Sequence, residues 1–137
     1  EQLAENLGRH LRGGEVIELA SDLGGGKTTF VRGLARGAGS PDRVGSPTFT
    51  ISKTYNAPRF EIHHFDFYRL QQADLAAYEL HDLLNDPQIV IVVEWAAVIE
   101  HVLPEQRLSV IIERTSADAR AITLRYTEAL QYLVEEL

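Results

Sequence analysis

The chain contains no cysteine and no methionine. Without thiols it has no disulfide and no thiolate metal site, and a reducing cytoplasm is its expected location. No apolar run approaches the ~20 residues that cross a bilayer as a helix. The first residues carry no signal-peptide pattern either, so no membrane partner is expected. Positive charge is also scarce: 13 Lys and Arg stand against 20 Asp and Glu, for a net charge of −7. Chains that grip nucleic acid unaided carry a basic surplus, because phosphate neutralisation dominates that affinity. Any nucleic acid is therefore expected to be held by a partner. Repeats, low-complexity tracts and linker-like segments are absent. What remains suits one domain with a real core: 137 residues, 45% apolar and 24% charged. The chain starts inside a helical pattern without an initiator Met, so residues ahead of Glu1 are expected to be missing.

The periodicities predict an α/β chain. Leu3, Leu7 and Leu11 recur at helical spacing until Gly13-Gly14. Val16 to Ala20 is a short apolar strand interrupted by Glu18. From Thr28 to about Ala38, Phe30, Val31, Leu34 and Ala35 mark a helix that Gly37 and Gly39 close. Thr48–Tyr55 and Phe60–Phe67 predict two strands of a hairpin around Asn56-Ala57-Pro58. Asp74–Leu84 is helical and is broken by Asn85-Asp86-Pro87. Ile89–Val93 is nearly all β-branched, as in a parallel strand buried on both faces. Leu108–Ile112 and Ala121–Tyr126 predict two late strands, and Thr127–Leu137 a C-terminal helix. The expected architecture is a single domain, residues 1–137, with a mixed sheet and helices on both faces.

Between the first strand and the second helix lies S21-D-L-G-G-G-K-T-T29. Strand, Gly-rich loop, helix is the context of a phosphate-binding loop, or P-loop. Gly24, Gly25 and Gly26 let the backbone wrap phosphate oxygens, and the helix N-terminus adds an anion site. Leu23 and Thr29 belong to the same loop. Lys27 would reach the β- and γ-phosphates, and the Thr28 hydroxyl would ligate Mg²⁺. The usual motif begins with Gly six residues before the Lys, where this chain has Ser21. If that backbone needs φ > 0, Ser costs what Gly does not.

Three further segments carry candidate chemistry. In V92-V-E-W95, Glu94 ends a buried strand, where P-loop proteins place the acid that orders Mg²⁺; the bland alternative is a Glu emerging into solvent. In H63-H-F-D66, His64 and Asp66 share a strand face with Tyr68. No companion ligands make this a metal cluster. Asp66 is a second carboxylate that either orients the attacking water or orders Mg²⁺ waters; the alternative is a polar edge strand. In S46-P-T-F-T50, Ser46 and Thr48 stand where a nucleotide-sensing switch would begin, or are ordinary hydroxyls at the start of a strand. No N-K-x-D guanine motif is present, so ATP is the expected nucleotide. No Arg-rich lid of a small-molecule kinase is evident.

D-L-G-G-G-K-T-T-F-V-R-G-L (22–34), S-P-T-F-T (46–50), H-F-D-F-Y-R-L (64–70) and V-E-W (93–95) occur in this order. Together with L-P (103–104) and R-A-I-T-L (120–124), they resemble the TsaE family, the bacterial ATPases of tRNA threonylcarbamoyladenosine biosynthesis. The resemblance spans roughly residues 1–126, and the H-F-D-x-Y-R-L and V-E-W pair is far more specific than the P-loop. It implies a small P-loop NTPase that binds ATP and Mg²⁺. ATP hydrolysis would reset a complex made of a threonylcarbamoyl-transferase subunit and its inactive paralogue, and that pair would hold the tRNA. Carried over by position, Gly24 to Thr29 match the nucleotide loop. Thr28 and Glu94 match the Mg²⁺ ligands, and Asp66 a carboxylate needed for hydrolysis. Ser46 to Thr48 match the switch, and Trp95 an aromatic beside the site. Ser21 departs from the family's Gly, and the stretch around Tyr78–Leu84 is shorter than usual. A small-molecule kinase and a nucleotide-sensing module without turnover are the alternatives.

Overall fold

The computed structural model describes residues 1–21, 26–45, 52–67, 73–96 and 100–137, with backbone only over 73–77. The described elements are α1 (Gln2–Arg9), β1 (Val16–Ser21), α2 (Lys27–Gly37), β2 (Ser52–Asn56), β3 (Glu61–Asp66), α3 (Ala73–Leu83), β4 (Ile89–Glu94), β5 (Leu108–Arg114) and β6 (Arg120–Arg125), then a 3₁₀ helix, Glu128–Leu133. The strands form one sheet in the order β2-β3-β4-β1-β5-β6. β3, β4, β1 and β5 run parallel, while β2 and β6 add antiparallel edges.

Alternation along the strands separates two cores. Ile17, Leu19, Ile62, Val90, Val92 and Val110 face one way, onto Leu7 of α1 and Phe30, Val31 and Leu34 of α2. Val16, Phe65, Ile89, Ile91 and Val93 face the other way, toward Leu80 of α3 and Leu103. Every residue of β4 is buried, as its β-branched run predicts. Asn85 adopts φ 72° just past α3, the left-handed turn that often ends a helix.

Two expectations change. The expected C-terminal helix, Thr127–Leu137, is shorter, Glu128–Leu133, and of 3₁₀ form. Its apolar anchors Leu130 and Leu133, both buried, are spaced three apart, and a 3₁₀ turn stacks i on i+3. The Leu130 N–H accordingly donates to the Thr127 carbonyl. β3 is an interior strand flanked by β2 and β4, which removes the polar-edge reading of His64 and Asp66. The predicted hairpin of β2 and β3 is present, with Tyr55 opposite Ile62.

Candidate nucleotide site

The parallel strands end together. Register places Asp66, the last residue of β3, beside Glu94, the last of β4, which lies beside Leu19 of β1. Asp66 is 8% exposed, Glu94 4% and Lys27 7%. One cation and two carboxylates are thus gathered, nearly buried, at the C-terminal ends of the parallel strands, where open α/β sheets bind ligands.

Lys27 opens α2. Its ammonium donates to the Ser21 carbonyl at 3.3 Å and lies 5.0 Å from the centre of the Trp95 ring. Ser21 therefore contributes through its backbone. It is the last residue of β1 and is not among the described residues with positive φ. The left-handed penalty weighed for Ser21 does not arise. Gly26, the N-cap of α2, is where that conformation occurs, at φ 102°. Thr28 and Thr29 follow in the first turn, half-buried and exposed respectively. Trp95 takes φ 58°, rare for a bulky residue, and such strain collects at functional sites.

Glu94 has a partner the sequence did not reveal. The Nε2–H of His64 donates to its Oε2 at 2.5 Å, and His64 is fully buried. The Nδ1 of His64 has no hydrogen-bond partner among the described residues. Leaving a buried polar atom unpaired costs about 1–3 kcal/mol. Tyr55 packs against the imidazole with ring centres 6.2 Å apart, and its hydroxyl donates to the Gly45 carbonyl at 2.9 Å. Burial pushes the Tyr55 phenol above its usual range, the Gly45 hydrogen bond opposes this, and the charge of Glu94 adds to the rise.

Beside the α2 N-terminus lies a cleft of ≈ 320 Å³, lined by Gly26, Thr29, Phe30, Ile112, Arg120 and Ile122 among others. Ile112 and Ile122 are opposite each other across β5 and β6. Only that pairing brings them to the helix, so no local motif marks them. Leu23, Gly24 and Gly25 of the loop, and Ser46 and Thr48 of the expected switch, lie outside the described residues.

Residues 1–122 match the family described as threonylcarbamoyl adenosine biosynthesis protein TsaE. The tRNA threonylcarbamoyladenosine biosynthesis protein TsaE of Bacillus subtilis (strain 168) is 43% identical over 129 residues, covering 90% of this chain and 78% of the relative. The TsaE protein of Haemophilus influenzae is 38% identical over 110 residues, covering 80% and 68%. Among solved structures, Bacillus subtilis YdiB superposes with a TM-score of 0.79 at 35% identity, covering 98% of this chain and 83% of that one. The motifs, the sheet order and these likenesses agree: the chain belongs to the TsaE family.

Proposed function

We propose that the protein is a Mg²⁺-dependent ATPase whose hydrolysis resets the threonylcarbamoyl-transferase complex between turnovers. The family membership gives the coarser function, a part in tRNA threonylcarbamoyladenosine biosynthesis. The observation supporting the finer reading is the gathering of Lys27, Asp66 and Glu94 at one end of the sheet. Buried charges are costly, and a site for a charged ligand is where a fold accepts that cost.

The residues fit Mg²⁺. The Oε2 of Glu94 is engaged by His64, and its Oε1 accepts no hydrogen bond among the described residues. Among those residues no group of three or more His, Asp or Glu could hold a metal alone. That suits Mg²⁺, which takes one or two protein oxygens and completes its shell with water and phosphate. Glu94 and the Thr28 hydroxyl would hold it, and it would neutralise charge on the phosphate oxygens. Lys27 would bind the β- and γ-phosphates by charge-assisted hydrogen bonds. Gly26 and the α2 N-terminus would add backbone donors, with the loop residues Leu23 to Gly25 completing the cradle. Asp66 would orient the attacking water or the waters on Mg²⁺. The cleft flanked by Phe30, Ile112 and Ile122 would take the adenine. Ser46 and Thr48 would report the γ-phosphate. The net charge of −7 leaves the tRNA to the transferase subunit and its inactive paralogue, in the cytoplasm.

Phosphate release with and without the transferase pair tests this reading. Native protein should turn over ATP, at least with the pair. Lys27→Ala should lose both nucleotide affinity and turnover. Glu94→Ala should lose Mg²⁺-dependent turnover. Labelled γ-phosphate appearing on a metabolite instead of in water would replace the ATPase with a kinase. Tight ATP binding with no release, even with both partners, would leave a nucleotide sensor.

A further inference from the structure

His64 is the most deeply buried of the described polar side chains, and it makes one hydrogen bond, to Glu94. Its other nitrogen is unpartnered. An apolar side chain of similar size would fill the space between Tyr55 and α2's side of the sheet without leaving a polar atom unpaired. The imidazole's polar chemistry is directed entirely at one oxygen of one carboxylate.

That contact has a mechanical consequence. The terminal torsion of a Glu is broad and two-fold, so an unheld carboxylate presents either oxygen. A carboxylate only accepts, so Nε2 carries the proton in this pair and captures Oε2. Oε1 is left as the oxygen that can serve a ligand. The ring itself is held in place. It lies on β3 opposite Val92, Tyr55 packs against it, and Tyr55 is tied to Gly45.

We infer that His64 is a positioning residue: it holds Glu94 by Oε2 so that Oε1 alone faces the phosphate site, and thereby sets the affinity for Mg²⁺ with nucleotide. The inference rests on the ATPase reading above and assigns His64 no contact with nucleotide or metal. Histidine–carboxylate pairs behind a metal ligand typically change metal affinity 10- to 100-fold when broken.

The test is a Mg²⁺ titration of the full chain with a non-hydrolysable ATP analogue, followed by the fluorescence of Trp95, the only tryptophan. His64→Leu should raise the half-saturating Mg²⁺ about ten-fold or more while leaving Mg²⁺-free analogue binding unchanged. His64→Gln, whose amide nitrogen reaches the place of Nε2, should restore a value near the native one. His64→Asn, which reproduces the Nδ1 side instead, should not. A native half-point in folded His64→Leu overturns the inference. Equal shifts in the Leu and Gln variants overturn it too, since they indicate a packing role only. Should His64→Leu fail to fold, the Gln and Asn variants decide, and equal half-points in those two overturn the inference. Native protein whose analogue binding ignores Mg²⁺ would instead sink the ATPase reading itself.

Discussion

Ser21 and Gly26 divide the work that the usual motif asks of its glycines. Ser21 is extended and gives Lys27 its carbonyl, so its side chain is not under backbone constraint. Ser21→Gly should leave nucleotide affinity within two-fold in a fluorescence titration. It should lower stability by about 0.5–1 kcal/mol in urea unfolding, the usual cost of Gly in a strand. Gly26 is the constrained position. A Cβ there meets no atom of the described residues within 4 Å, so the expected penalty of Gly26→Ala is the conformational one. Roughly 1–2 kcal/mol of stability should be lost, the cost of a left-handed L-residue. If unfolding midpoints of Gly26→Ala match native, the turn does not hold φ 102° in solution.

α1 and α2 meet through glycines. A Cβ on Gly37 would stand 1.9 Å from the Glu5 carbonyl oxygen, and one on Gly8 2.2 Å from that of Leu34. Backbone is against backbone from both sides, and no rotamer change can make room. Gly37→Ala should push the helices apart and destabilise by about 1–3 kcal/mol or more, read by thermal or urea unfolding. Its effect on nucleotide affinity should be smaller, since the site is at the other end of α2. The C-terminal 3₁₀ helix is pinned differently. Tyr132 donates to Glu15 at 2.5 Å, while Glu15 also accepts from the Arg12 and Gly13 amides. Burial raises the Tyr132 phenol well above its ordinary value of 10.0, and the hydrogen bond and charge of Glu15 add to this. A raised folded value means the contribution is intact below pH 10.0 and falls as pH climbs beyond it, because the unfolded phenol ionises first. Native protein should lose stability above about pH 10 more steeply than Tyr132→Phe, and the two should run parallel between pH 6 and 9.

For the whole molecule, ligand binding is linked to folding. On the ATPase reading proposed above, ATP with Mg²⁺ would bind a site assembled from β1, α2, β3 and β4, which the unfolded chain lacks. At 100 times Kd the native state should gain about 2.7 kcal/mol. In differential scanning fluorimetry that is a rise of several degrees, which Lys27→Ala should abolish. Much of this architecture was legible in the chain. Ile89–Val93 announces a doubly buried strand, and the strand–loop–helix order around Lys27 marks a P-loop motif. These signals are local: side-chain branching, period and glycine content act over a few neighbouring residues. The 3₁₀ form of the C-terminal segment was not legible, because its composition suits either helix and the spacing of its buried anchors decides.

The sequence by itself determined the α/β class, the phosphate loop, the two carboxylates at strand ends and the family. Each is carried by residues adjacent in the chain. The tertiary structure decided that Ser21 is extended, that His64 holds Glu94, and that Ile112 and Ile122 flank the α2 N-terminus. His64 and Glu94 are 30 residues apart. Only the pairing of β3 with β4, in this register and on this face, brings an imidazole nitrogen to a carboxylate, and a slip of β3 by one residue against β4 would put the two side chains on opposite faces of the sheet.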